Sequence, residues 1–246
     1  MITAELIHEI IPVGPLQCNC SILGDPVTRE ALVVDPGDDV ERILALLQKH
    51  SLKVRAIIST HTHIDHVGGL AQLHAVTGAP VLIHEADMPL YGRLDMQAQF
   101  LGVPVPPTTK IDEYVKDGDT IRWGGYTAQI IHTPGHTPGS ITLFSDVARR
   151  DDGATGESAG ASPLARGVGG VKAPSAALSP LLLAGDTLFQ GSIGRTDLWG
   201  GSMKTIMDSL RGKLMQLPEE TVVHPGHGPV TTIGEERESN PFLIHG

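Results

Sequence analysis

Three imidazoles and one carboxylate fall within six residues in Thr60-His61-Thr62-His63-Ile64-Asp65-His66. The apolar run Val54-Arg55-Ala56-Ile57-Ile58 comes just before them and reads as a buried strand, which puts the cluster on the loop leaving its end. On a helix, side chains meant for one point recur every three or four residues. Spacing of two suits a loop that turns its side chains inward. Neutral imidazole is the commonest protein ligand for a transition metal, and aspartate adds negative charge without sulfur. The chemistry open to such a loop is metal-ion chemistry.

The same grammar, an apolar run and then candidate ligands among glycine and proline, recurs along the chain. Gln129-Ile130-Ile131 leads into His132-Thr133-Pro134-Gly135-His136-Thr137-Pro138-Gly139. Leu181-Leu182-Leu183-Ala184 leads into Gly185-Asp186-Thr187, and Thr221-Val222-Val223 into His224-Pro225-Gly226-His227-Gly228. Glycine and proline give tight turns that let backbone come close to an ion. Alone, each of these is a weak signal. Together with the first loop they supply five histidines and two aspartates, too many for one ion and suited to two.

The elements that must position these loops alternate. Ala31 to Val34 reads as a strand ended by Asp35-Pro36-Gly37, and Asp38 with Glu41 predicts a capping box opening a helix of Val40, Ile43, Leu44 and Leu47. Val67, Leu70, Leu73 and Val76 predict a second helix stopped by Gly78. Pro80 to Ile83 reads as a short strand, and residues 102–109, with three prolines, as a loop. Tyr114 to Ile131 predicts an antiparallel meander, and Ile141–Phe144 and Leu181–Ala184 predict strands that pair with each other. Ser202 is expected to cap a helix carrying Ile206, Leu210 and Leu214, with Met203, Met207 and Met215 facing the core. Twenty of the thirty residues 151–180 are Gly, Ala, Ser or Pro, without periodicity, so 150–179 is expected to be a disordered insertion at a hairpin tip.

Composition narrows the partners. Hydrophobic content of 40% and charged content of 19% are those of a soluble globular chain, here expected to form one domain over 1–246. A net charge of −10 with no basic cluster argues against nucleic acid, and no run is long enough to span a membrane. Cys18 and Cys20 are the only cysteines and sit one residue apart, poor spacing for a bridge. Met1 to Glu5 carries no basic or apolar leader, so the expected location is cytoplasmic.

His-x-His-x-Asp-His, Thr-Pro-Gly-His-Thr-Pro-Gly, Gly-Asp-Thr-Leu-Phe and Pro-Gly-His-Gly-Pro, in this order, resemble the metallo-β-lactamase-fold hydrolases. Within them the chain is most similar to the short, single-domain glyoxalase II-like group. Gly191 to Asp197 and Glu236 to Phe242 also resemble that group. The resemblance implies an α/β fold, a four-layer αββα sandwich of two similar halves, with the site where the two sheets meet. It implies one ion on His61, His63 and His136, another on Asp65, His66 and His227, and Asp186 bridging them. Asp35 is expected to brace the histidine loop, and Arg195 and Asp197 to form a loop-fixing ion pair. His132 and His224 could relay protons or support a ligand, a structural role being equally open.

Two ions about 3.5–4 Å apart can share a water, lower its pKa toward neutrality and aim a bridging hydroxide at a carbonyl. No acid stands out that could protonate a departing amine, whereas a thiolate, with a conjugate-acid pKa of about 8.5, leaves unaided. The expected reaction is hydrolysis of a small-molecule thioester, which the resemblance narrows to one such as S-lactoylglutathione. Zn2+ is the first choice for both ions, with Fe or Mn also suited to a sulfur-free His/Asp set. Full-length glyoxalase II carries a helical domain and a lysine- and tyrosine-bearing loop for glutathione. Too short a stretch follows His227 for that domain, and Gly191 to Asp197 replaces the loop, which predicts a weak hold on glutathione. A one-iron persulfide dioxygenase, a hydrolase of another small ester or lactone, a tRNA-processing nuclease and a non-catalytic metal module are the rivals. The second ligand set, with His66 and His227, argues against the first, and the net charge against the nuclease.

Overall fold

Strands such as Ala31–Val34 are apolar on both faces, and such strands fit only a sheet covered on both sides. The computed structural model describes residues 5–146 and 179–244, so the expected insertion at 150–179 lies outside them but for its last residue. The first sheet is six strands in sequential order. β1 (Ile7–Val13), β2 (Cys18–Gly24) and β3 (Glu30–Val34) are antiparallel neighbours. From β3 onward, through β4 (Lys53–Ile58), β5 (Val81–His84) and β6 (Glu113–Val115), the strands run parallel. Parallel strands need crossovers, and helices supply them. These are α1 (Val40–Lys49), then α2 (Ile64–Val67) and α3 (Leu70–Thr77), then α4 (Met88–Tyr91) and α5 (Leu94–Leu101).

The second sheet begins with β7 (Thr120–Trp123), β8 (Tyr126–His132), β9 (Ile141–Ser145) and β10 (Leu181–Gly185), all antiparallel. A small hairpin of β11 (Leu188–Phe189) and β12 (Ser192–Ile193) follows, then α6 (Met203–Gly212). β13 (Val222–Pro225) joins β10 in parallel, and β14 (Thr231–Thr232) closes the edge before α7 (Ile233–Ser239) and α8 (Pro241–Ile244). The final order is β14-β13-β10-β9-β8-β7.

Strand alternation sorts the core into three apolar layers. Ile22, Val33, Ile57 and Val81 pack outward on α1, α3 and α5. Their neighbours Leu23, Leu32, Ile58 and Leu82 point the other way, onto Trp123, Ile130, Leu143 and Leu183 of the second sheet. Leu182, Ala184 and Val223 then face Ile206, Leu210 and Ile233 of α6 and α7. Helix, sheet, sheet and helix thus stack as the expected αββα sandwich, and β9 pairs with β10 across the inserted segment.

Several local expectations are corrected. Asp38 and Glu41 form no capping box. Asp39 holds the cap position with φ 50° and no side-chain cap bond, while the carboxylate of Asp38 accepts from the N–H of Asp39 at 2.7 Å. A capping box does occur at Thr232 and Glu235. The second helix is two pieces, interrupted where Gly68 and Gly69 press against the backbone of Pro36 and Gly37. Tyr114 belongs to β6 of the first sheet, so only β7 and β8 form a hairpin within the expected meander. Helices α4 and α5 escaped the sequence reading, and Met203 is 49% exposed instead of facing the core. Ser202 caps α6 as expected, accepting from the N–H of Thr205.

Ile130 is fully buried between the sheets, so Ile130→Ala is expected to cost about 2–5 kcal/mol and Ile130→Val about 1 kcal/mol in denaturant unfolding. Equal midpoints for the two variants would show that the inter-sheet layer is not close-packed at this position.

Candidate metal centre

Every candidate ligand leaves the carboxyl end of a strand at the same edge of the sandwich. β4 delivers His61 and His63, and α2, which opens just after them, carries Asp65 and His66. His136 follows β8, Asp186 follows β10, and His227 follows β13. The seven residues meet. His63 Nδ1 lies 3.1 Å from His61 Nε2 and 2.9 Å from His136 Nε2. Nearby, His227 Nε2 lies 3.3 Å from His66 Nε2 and 3.1 Å from Asp65 Oδ2. Asp186 stands between the groups, with Oδ2 3.6 Å from His136 Nε2 and 3.8 Å from His227 Nε2, and Oδ1 3.5 Å from His66 Nε2.

Close approach at this edge depends on glycine. A Cβ on Gly226 would strike Asp186 Oδ1, and one on Gly37 would strike the carbonyl oxygen of Asp65.

The donor set fits cations. Nitrogens this close repel one another once protonated, and burial together with the neighbouring imidazoles holds His61 far below its ordinary value and His63 at about 3. Both are therefore neutral, the form that binds metal. The other group is acid-rich. Burial works against a charge on His66, yet the carboxylates of Asp35, Asp186 and Asp65 together push its proton affinity well up. Asp65 lies below the usual carboxylate range because His66 and His227 outweigh its burial. Positive charge is what this half draws in. A buried atom inside the cluster, Asp186 Oδ1, 3.5 Å from His66 Nε2, has no hydrogen-bond partner, an expensive state unless something else satisfies it.

Residues outside the ligand set fix the loops. Asp35 adopts a left-handed φ of 54°, which turns its carboxylate back to accept from the N–H and hydroxyl of Thr60 at 2.7 and 2.8 Å. Its Oδ2 also stands 3.1 Å from His66 Nδ1, so Asp35 braces the loop as expected. Cys18 Sγ approaches that same ring nitrogen at 3.5 Å, and burial pushes its thiol up to about 12, keeping it protonated. Asp87 was not singled out in the sequence. It is fully buried, accepting from the N–H groups of Thr62 at 2.9 Å and Gly139 at 2.6 Å and from the hydroxyl of Thr137 at 3.0 Å. Gln97, also missed, accepts from the N–H of Ile64 and donates to the carbonyl of Thr62. Neither sits in a motif; each becomes visible only when α4 and α5 fold back over the loop.

The remaining sequence candidates divide. Arg195 and Asp197 form the expected surface ion pair at 2.8 Å, while the Arg195 carbonyl faces His136 Nδ1 at 2.8 Å. The two C-terminal motifs meet. Glu236 accepts from the N–H of Gly191, and the Asn240 amide donates to the carbonyl of Ser192. His132 stacks on His84 with centroids 3.9 Å apart, and His224 packs edge-on against His8. Neither enters the ligand cluster.

A family model described as the metallo-beta-lactamase superfamily matches residues 13–150 and 173–227. The hydroxyacylglutathione hydrolase GloC of Haemophilus influenzae is 34% identical over 242 residues, covering 96% of this chain and 97% of its own. Among solved structures, the BLEG-1 B3 metallo-beta-lactamase superposes with a TM-score of 0.78 at 32% identity, over 97% of this chain and all of that one. TTHA1623 in a di-iron-bound form superposes with a TM-score of 0.74 at 35% identity, over 96% of this chain and all of that one.

Asp87→Asn should expose the role of the carboxylate that ties the two histidine loops. Either amide orientation turns N–H toward an existing donor, for an expected loss of about 3 kcal/mol. Unfolding should register that loss, and a chelator competition should show weaker hold on divalent metal. An unchanged midpoint and unchanged metal hold would mean that Asp87 ties nothing together.

Proposed function

The chain belongs to the metallo-beta-lactamase superfamily, and from that premise we propose that it is a dinuclear metal-dependent hydrolase acting on small-molecule thioesters. The observation that carries the reading is Asp186, whose carboxylate stands within 3.5–3.8 Å of imidazoles from both groups, His136 on one side and His66 and His227 on the other, where it could serve two cations. His61, His63 and His136 would hold one cation, and Asp65, His66 and His227 the other. Bound divalent cations would lower the pKa of a water and polarise a carbonyl.

The chain's own residues prepare that chemistry. His61 and His63 are kept neutral by burial, so they need lose no proton before binding. The Arg195 carbonyl fixes the ring of His136, and Asp35 with Cys18 fixes that of His66, so each presents Nε2 to the cluster. Asp65 stays ionised and balances cationic charge without taking a proton from the reaction. Among the described residues at the cluster, no carboxyl stands as a proton donor for a departing amine. Thioesters suit such a site because a thiolate leaves unaided. The resemblance to hydroxyacylglutathione hydrolase supports the same substrate class, and TTHA1623, bound to two irons, supports iron as well as zinc for the metal.

Purified protein reloaded with zinc or iron is expected to hold close to two ions per chain. His63→Ala and His227→Ala should each hold close to one. A value near one in the unmodified protein would remove the dinuclear assignment, and oxygen uptake with glutathione persulfide would then favour a one-iron dioxygenase.

Asp186→Asn keeps the shape of the side chain and halves the carboxylate charge of the ligand set, leaving only that of Asp65. Its expected effect is at least a hundredfold fall in thioester turnover, about 2.7 kcal/mol in the barrier. Near-normal turnover would take Asp186 out of the reacting centre, and no turnover of any thioester by the loaded wild type would overturn the proposal.

A further inference from the structure

Beside the ligand cluster the surface opens into a trench of about 470 Å³, within the range of small-molecule sites. Ile64 and Asp65 are among its lining residues, so it adjoins the residue whose carboxylate faces His227. One wall is the turn between β1 and β2, with Val13 and Leu16, and the other is the loop 102–109, with Val103 and Val105. Three prolines of that loop also line the trench and restrict its backbone, which gives a wall that loses little freedom when covered. Leu16 and Val105 are 47% and 57% exposed, apolar surface on the rim that no described residue covers.

Charge decides which part of a substrate fits. The charged side chains that line the trench are Asp38 and Asp65, with no lysine or arginine among its described residues. Glutathione carries two carboxylates and one ammonium, and its anionic ends would meet repulsion here. A cationic group, Arg93, lies on the other flank. Trp199 stands 6.0 Å from His63, and with Arg93 it lines a second cavity of about 360 Å³. An anionic thiol arm has one counter-charge on that side, Arg93, and none in the trench, which leaves the trench for the acyl arm.

Resting on the thioester reading above, we propose that the trench binds an unbranched apolar acyl chain, making medium-chain acyl thioesters such as octanoyl better substrates than small hydroxyacyl ones. Ile64 through Val105 then form a specificity-determining surface that runs outward from the reacting carbonyl.

The test uses the metal-loaded full chain and a series of acetyl, butanoyl, hexanoyl and octanoyl esters of one neutral thiol, N-acetylcysteamine. The expected result is a rise in kcat/KM of about fourfold per added methylene until the trench is filled, the equivalent of ~0.8 kcal/mol each. Leu16→Asp and Val105→Asp should collapse the octanoyl-to-acetyl ratio by tenfold or more. Val76→Asp, an equally exposed change on α3, should leave that ratio alone. A second readout is octanoate binding by calorimetry, expected in the wild type and lost in Val105→Asp. Hydrolysis that is flat across chain length would overturn the trench assignment and leave the thioester reading standing. No hydrolysis of any ester, with octanoate still bound and released by Val105→Asp, would support the trench and overturn the thioester reading. Absence of both would overturn both.

Discussion

Asp35 and Asp87 hold residues 60–62 between them, one at each end, and the cluster of five imidazoles depends on those bonds. Asp35 takes the N–H and hydroxyl of Thr60, and Asp87 takes the N–H of Thr62. Rings packed at 2.9–3.3 Å through their nitrogens gain nothing from apolar contact and would drift apart if their loop could move. A buried carboxylate with three or more donors costs desolvation, and full satisfaction turns that cost into rigidity. Asp87 reaches further. By also holding Gly139 and Thr137 it locks the loop of His136 to the loop of His61, joining ligands from the two sheets.

The two halves of the cluster differ in electrostatic character although they share a carboxylate. His61, His63 and His136 make a nearly neutral pocket, while Asp65, Asp35 and Asp186 surround His66 and His227. In the proposed reading, the second position offers a cation more negative charge than the first, so two bound ions would differ in hold and in how strongly each would draw electrons from a shared ligand. Asp186 is where these unlike environments meet, and the bend that places it follows from Gly185, whose φ of 48° a branched residue could not adopt cheaply.

Much of this was legible because each ligand loop follows an apolar run with glycine and proline beside it, as at Leu181–Gly185 before Asp186. Such local signals survive in one dimension. Asp87 and Gln97 did not show, because their meaning lies in donors 25 and 33 residues away in the chain, Thr62 and Ile64. The register of β6 was misread for a related reason. Tyr114 sits close in sequence to β7, yet its strand hydrogen-bonds to β5, and short apolar runs carry no mark of which sheet they join. The capping box expected at Asp38 failed because Asp39 takes a left-handed φ and spends its carboxylate on the N–H of Gly14 and on Arg42.

The clamped centre and the surfaces around it also differ in how freely they can vary. His61 to His66 are bound by Asp35, Asp87 and Gln97, so a substitution there disturbs several partners at once. The turn at Leu16 and the loop 102–109 take no part in those bonds, whereas the stretch Gly191 to Asp197, tied down by Glu236 and Asn240, reaches the cluster through the Arg195 carbonyl on His136. Loops on a rigid frame can change shape and polarity without moving the reacting groups. Superfamily membership therefore constrains the chemistry at the cluster far more than the substrate beside it, because the outer residues that would select a substrate, such as Leu16 and Val105, are not the residues that hold the metal ligands in place.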